Sequence, residues 1–378
     1  MVYADNAATT PLDKRVLEAM LPFLQDNYFN PSSAYRASIR VKSEISRGRA
    51  VIADTIGAKE QEITFTSGGT ESDNLAIKGA AYAYKNKGRH IITTKIEHPA
   101  VLNTCRHLEK EGFEVTYADV NENGRVRALQ IESLIRPDTI LVSVMYVNNE
   151  TGVIQPVEEI GAICKKHGVL FHTDAVQAYG HLPIDVNAIN ADMLSVSAHK
   201  IYGPKGTGFL YVRNGVSLEN VLNGGEQESG LRPGTENVAG IMGLAKAAEL
   251  MKAELPKRME KEKSLGNLLY ERISKEIPGI KANTDPEHRV PSIVNFSFEK
   301  IQGETLLINL DMKGIAASTG SACTQGNGEL SHVLLAMGRS EAEAAASLRL
   351  SLGCMNSEED IRYIADTLSN TIKYLRAI

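Results

Sequence analysis

Short apolar runs rich in β-branched residues recur through the first two thirds of the chain. They lie at residues 62–66, 90–94, 113–118, 139–147, 168–173, 192–197 and 208–212. Several are continuously apolar rather than alternating, which predicts strands covered on both faces. Helical periodicity fills the gaps at 71–87, 99–112 and 156–167. Strands alternating with helices predict a mainly parallel α/β sheet sandwiched by helices. A charge-dotted helical stretch from Val238 to Lys275 follows, and Pro256 inside it predicts a break. Beyond it the pattern changes. Residues 292–298 alternate like a half-buried strand. A helix (303–312), a small-residue loop (317–328), a strand (347–353) and a last helix (357–376) complete the chain. This predicts a large domain over 13–255 and a smaller α+β domain over 256–378, with residues 1–12 packed on the latter.

A length of 378 residues suits two such units. The net charge of −5 without a basic block argues against nucleic acid as a partner. No apolar run approaches the roughly 20 residues that span a bilayer, and the N-terminus has no signal-peptide pattern. Cys105, Cys164, Cys323 and Cys354 are scattered without CxxC pairing, so neither a zinc site nor a disulfide framework is expected. These features predict a cytoplasmic protein with reduced thiols.

In parallel α/β sheets, ligands bind beyond the C-terminal strand ends, so residues just after the strands carry the chemistry. Four such places stand out. After 62–66 comes Ser67-Gly68-Gly69-Thr70, a turn into a helix whose N–H groups suit an anion. Alone, it reads equally well as a Thr N-cap. After 90–94 comes His98, able to stack on a ring or move a proton. The ordinary alternative is a core histidine. After 168–173 comes Asp174, a carboxylate that needs a partner if buried, with Gln177 one turn onward. Alone, a capping Asp with a surface Gln is slightly the better reading. After 192–197 come Ser197, His199 and Lys200, in a loop braced by Gly203, Pro204, Gly206 and Gly208. A neutral amine held there would condense with an aldehyde as a Schiff base. All four sites converge on one sheet edge. Together they offer a phosphate cradle, a ring stacker, a pyridinium partner and a Schiff-base lysine, the parts that pyridoxal 5'-phosphate requires.

These motifs resemble the cysteine desulfurases (NifS/IscS-like) of the class V aminotransferase group of fold-type I pyridoxal-phosphate enzymes. The resemblance runs through YADNAATTPL (3–12), TSGGTESDN (66–74), EHPAV (97–101), VNNETGVIQP (147–156), HTDAVQAYG (172–180), SAHKIYGPKGTG (197–208), RPGTEN (232–237), GSACTQGNGELSHVLLAMG (320–338) and LRLSLG (348–353). It implies that Lys200 carries the cofactor and that Asp174 pairs with its ring nitrogen. Gln177 meets the ring hydroxyl, His98 stacks, and Gly69, Thr70, Ser197 and His199 hold the phosphate. Thr235 would reach the phosphate of a second subunit, which implies a homodimer. Asn149 and Arg349 would clamp the carboxylate of L-cysteine. Cys323, on a mobile loop of about 319–331, would take the substrate sulfur as a persulfide for an acceptor protein, such as an iron–sulfur scaffold or a tRNA-thiolation enzyme. Lys200, Cys323 and His98 are the catalytic residues so implied.

Cys105 and Cys164 read as core fillers, while Cys354 is ambiguous. Where the family commonly has a histidine after NPSS, this chain has Ala34-Tyr35. Two other activities share the same motifs: a selenocysteine lyase or other β-eliminase, and a cofactor-fold protein that only binds sulfur carriers.

Overall fold

The computed structural model describes residues 1–320 and 330–377. The strands are β1 (Val2–Tyr3), β2 (Ile63–Thr66), β3 (His90–Thr94), β4 (Glu114–Ala118), β5 (Thr139–Ser143), β6 (Leu170–Asp174), β7 (Met193–Ser197), β8 (Gly208–Val212), β9 (Ile280–Ala282), β10 (Ile293–Phe298), β11 (Ile315–Ala316) and β12 (Ser347–Ser351). Seven of them form one sheet in the order β2-β8-β7-β6-β5-β3-β4. β8 runs antiparallel to both its neighbours, and the other pairings are parallel.

Successive residues of these strands divide between two apolar clusters, as a side-chain period of two requires. Ile92, Val142, Leu194 and Phe209 join one cluster. Ile91, Leu141, Met193 and Leu210 join the other. Both faces are therefore covered, which is why the strands read as unbroken apolar runs. Burying each such side chain contributes about 1.5–3 kcal/mol relative to leaving it in water.

The antiparallel sheet β12-β10-β9 carries a separate core that includes Leu269, Phe296, Leu350 and Ile364. β1 pairs in parallel with β11, and Ala4 joins this core while Ala7 joins that of the large sheet. The helix Val238–Glu276 joins the two regions, placing Leu244 and Met251 in the first core and Leu269 and Ile273 in the other.

Three sequence expectations need correction. The helix Val238–Glu276 passes through Pro256 without a break. Pro256 lies at an exposed position, where the carbonyl that loses its donor need not be buried. Of 139–147, only Thr139–Ser143 is strand. The rest is buried loop hydrogen-bonded to β6, with Val144 N–H on the His172 carbonyl and Tyr146 N–H on the Asp174 carbonyl. β10 is buried on both faces rather than one. Its polar side is satisfied internally: Asn283 donates to Asn295 (3.0 Å) and Ser297 (2.8 Å), and Asn295 donates to the Glu150 carbonyl.

The start of β8 touches the turn after β2 very closely. A Cβ on Gly208 would lie 2.4 Å from the Val196 carbonyl oxygen and 2.7 Å from the Gly68 Cα. Both obstacles are backbone, so Gly208→Ala should cost about 1–3 kcal/mol of stability by overpacking. Chemical denaturation checks this. An unchanged midpoint would show that the strand ends can separate freely.

Candidate active site

The strand ends deliver their polar residues to one cavity of about 200 Å³. Gly69, Thr70, His98, Asn149, Asp174, Gln177, Ser197, His199, Lys200 and Arg349 all line it. Thr235 does not. It is exposed in the loop before the helix Val238–Glu276. Cys323 and most of the loop expected to carry it lie outside the described residues.

Each placement has a local cause. Gly68, at φ +147°, turns the chain so that the helix Gly69–Tyr84 starts at the cavity, with no side chain capping it among the described residues. The first-turn N–H groups are thereby oriented for an anion. Thr70 is thus a first-turn residue and not the N-cap. A Cβ on Gly69 would meet Val176 at 2.7 Å, so this approach also requires glycine. His98 is the N-cap of the helix Pro99–Lys110, and its Nδ1 accepts the Ala100 N–H at 3.1 Å. The neutral ring therefore carries its proton on Nε2. The turn after β7 is closed by the Ala198 carbonyl, which accepts from Ile201 and Gly203 at 3.0 Å each.

Asp174, 5% exposed, accepts the Val176 N–H at 2.9 Å. Burial raises its pKa to about 6, opposed by that N–H and by the charge of Lys200. Two further buried acids stand near it. Asp73 also lines the cavity. Its Oδ1 lies 3.7 Å from His172 Nε2 and has no hydrogen-bond partner within normal distance among the described residues. Burial, and then the charge of Asp174, raises Asp73 well above the carboxylate range. Glu97 accepts from the Thr94 hydroxyl at 2.6 Å and the Met145 N–H at 3.0 Å. Burial pushes it up to about 8. His98 and His199 are each held near 4, foremost by burial and then by the charge of Lys200, so both rings are neutral at physiological pH.

The N-terminal segment supplies contacts that side-chain patterns do not announce. Lys200 Nζ donates to the Ala7 carbonyl and, at 2.9 Å, to the Ala8 carbonyl. Gln177 Nε2 donates to the Ala7 carbonyl at 2.8 Å. Arg349 is 1% exposed on β12 and bonds the Asp5 carboxylate (2.7 Å) and the Asn149 carbonyl (3.0 Å). Asp5, Asp73 and Glu97 were not singled out in the sequence. Each belongs to a motif quoted above, but nothing in its spacing separates it from a surface acid.

The remaining cysteines lie away from the cavity lining. Cys105 and Cys164 are buried in the apolar clusters, and burial pushes both thiols up to about 12. Cys354 is half-buried, its N–H on the Tyr202 hydroxyl at 2.7 Å. Tyr35 is exposed at the start of the helix Arg36–Thr55, with its ring edge-on to Phe29.

A covered, mainly parallel sheet whose strand ends bring an amine, a buried acid and a bare helix N-terminus to one cavity defines a class, and the chain belongs to it: the class-V aminotransferase family, whose model matches residues 2–364. It is 52% identical over 377 residues to the cysteine desulfurase IscS of Clostridium botulinum, covering 99% of this chain and 95% of that one. Against the cysteine desulfurase IscS of Methanosarcina thermophila it is 51% identical over 375 residues, covering 99% and 93%. A solved NifS-like protein superimposes with a TM-score of 0.93 at 39% identity, over 99% of both chains. SspA, solved in complex with cysteine, gives 0.84 at 41% identity, over 93% of this chain and 99% of that one.

The buried acids predict a pH effect on folding. Glu97 holds its proton to about pH 8 when folded and releases it near its ordinary 4.5 when unfolded. Its contribution to stability is full below 4.5 and is lost as pH rises through 8. Glu97→Gln cannot titrate, so it should lose less stability than wild type between pH 5.5 and 8 in urea unfolding. Parallel losses in the two proteins would contradict the raised pKa.

Proposed function

We propose that the protein is a cysteine desulfurase that uses pyridoxal 5'-phosphate to convert L-cysteine to L-alanine. The observation that carries this is the convergence of Lys200, Asp174 and the helix start at Gly69–Thr70 on one cavity. The identity of about half the chain to cysteine desulfurases supports it further.

The residues present fit the cofactor. The uncapped helix start, with the Thr70 and Ser197 hydroxyls and His199, suits a phosphate. Asp174 is an acid whose hydrogen bond comes from a backbone N–H, and its burial calls for a cationic partner such as a protonated ring nitrogen. In this reading Gln177 meets the ring hydroxyl, His98 covers the ring face, and Lys200 holds the cofactor covalently. When bound, pyridoxal phosphate supplies an aldehyde for the substrate amine and a sink for the electrons released at its Cα.

The chain's own residues do the rest. Arg349 and Asn149 hold the substrate carboxylate and so fix which bond at Cα faces Lys200. Lys200 Nζ takes the Cα proton. His98 has Nδ1 committed to Ala100, so Nε2 is its only route for exchanging a proton with the substrate. The Cys323 thiolate attacks the substrate sulfur: an S–S bond forms, the Cβ–S bond breaks, and its electron pair stays with the carbon skeleton. Protonation of that skeleton yields alanine. The persulfide left on Cys323 then passes its outer sulfur to the thiol of an acceptor protein. A free thiol with a pKa of about 8.5 is only a few per cent thiolate at neutral pH, so a base must help it.

The same reading makes the protein a cytoplasmic homodimer, with Thr235 reaching the neighbouring subunit's phosphate. It also divides the chain into a large domain (13–255) and a small one (1–12 and 256–378). The separate apolar cores on the two sheets support that division.

Alanine formed from L-cysteine with a reductant tests the proposal. Lys200→Ala should lower the rate by about 10²–10⁴, the range for a lost general base. Cys323→Ala should abolish turnover of L-cysteine. If it spares cysteine turnover, or abolishes it while leaving selenocysteine turnover intact, the selenocysteine lyase takes the desulfurase's place.

A further inference from the structure

The guanidinium of Arg349 already has an anion. Its Nη2 meets Asp5 Oδ1 at 2.7 Å, and its Nη1 meets the Asn149 carbonyl at 3.0 Å. Its Nε is buried and makes no hydrogen bond among the described residues. Asp5 is itself firmly placed. It bridges Ser351 in parallel, next to β12, and its carbonyl accepts the Tyr3 hydroxyl at 3.0 Å. A fixed carboxylate thus stands on a fixed guanidinium at the wall of the cavity, in an ion pair whose arginine is closed to water.

This arrangement differs from an arginine waiting alone for a substrate carboxylate. A buried guanidinium without a counter-ion is costly and binds whatever anion arrives. Paired with Asp5, its charge is compensated before substrate enters. An incoming carboxylate then gains the attraction of Arg349 and meets the repulsion of Asp5. Free N–H donors still fix its direction, because a guanidinium has five and the two contacts above use two. Orientation is kept while affinity falls. The chemistry makes such weakening useful. L-cysteine and L-alanine carry the same α-carboxylate, so a tight grip on it binds substrate and product alike and adds nothing to the bond-breaking step.

We propose that Asp5 is the resident counter-ion of Arg349: it positions the guanidinium and lowers the site's affinity for amino-acid carboxylates, so that alanine leaves readily. This rests on the reading of Arg349 as the carboxylate anchor. Asp5 touches no reacting atom in this scheme and acts only through Arg349.

Calorimetric titration of the holoenzyme with L-alanine and with L-alaninamide tests it. Asp5→Asn keeps an oxygen acceptor and removes the charge. It should bind L-alanine on the order of tenfold more tightly, the size of one nearby like charge removed from a partly screened site. L-alaninamide, which has no carboxylate, should bind as it does to wild type. The KM for L-cysteine should fall in the same variant, and inhibition by alanine should strengthen. If Asp5→Asn does not fold, Asp5→Ser removes the same charge and serves the comparison. Unchanged or weakened alanine binding in the neutral variant would overturn the inference and leave Asp5 a scaffold residue. So would an equal gain for the amide. Arg349→Gln separates the two levels: if it keeps full alanine affinity, the assignment of Arg349 itself fails, and the role of Asp5 falls with it.

Discussion

An acid closed off from water at the end of β6 is the constraint on which this site depends. Asp174 ends a strand of a sheet whose two faces are both packed, and its carboxylate accepts one backbone N–H, that of Val176. Ionising such a group without a partner costs several kcal/mol even after relaxation. The protein answers by raising the pKa of Asp174 and by setting Lys200 close enough to oppose that rise. The outcome is an acid poised to pair with a cation in the cavity. Asp73 and Glu97 extend the same condition, since negative charge on one disfavours ionisation of the next.

The second organising element is the short N-terminal segment. Its backbone carbonyls at Ala7 and Ala8 meet Lys200 and Gln177, and the Thr10 N–H and hydroxyl both donate to the His199 carbonyl. Asp5 meets Arg349 on β12, and β1 pairs with β11. One stretch of ten residues thus ties the strand ends of the large sheet to the antiparallel sheet. The amine is held by two backbone carbonyls of this segment and the guanidinium by its Asp5 carboxylate, so one stretch sets both.

Much of this was legible in the sequence because burial on both faces leaves a plain mark. The strands at 90–94 and 208–212 fall where their apolar runs predict, and the polar residues that follow the runs do converge. Glycines at 68 and 69 announced the tight turn they make. The rest lacked such marks. Ala7 and Ala8 act through carbonyls that any residue carries. Asp5, Asp73 and Glu97 look like surface acids until the fold closes over them. The polar residues of β10 suggested a wet face but pair with Asn283 inside the protein. Pro256 sits inside its helix at an exposed position, where the freed carbonyl can reach water. The roles of Thr235 and Cys323 rest on resemblance, the first in an exposed loop and the second outside the described residues.

The central claim is that sulfur leaves L-cysteine by transfer to Cys323. The most direct measurement is one turnover of L-cysteine by the holoenzyme without reductant, with alanine quantified and the Cys323 peptide weighed by mass spectrometry. The account predicts one added sulfur atom on that peptide for each alanine formed. Alanine with free sulfide in the medium and an unmodified Cys323 would contradict it.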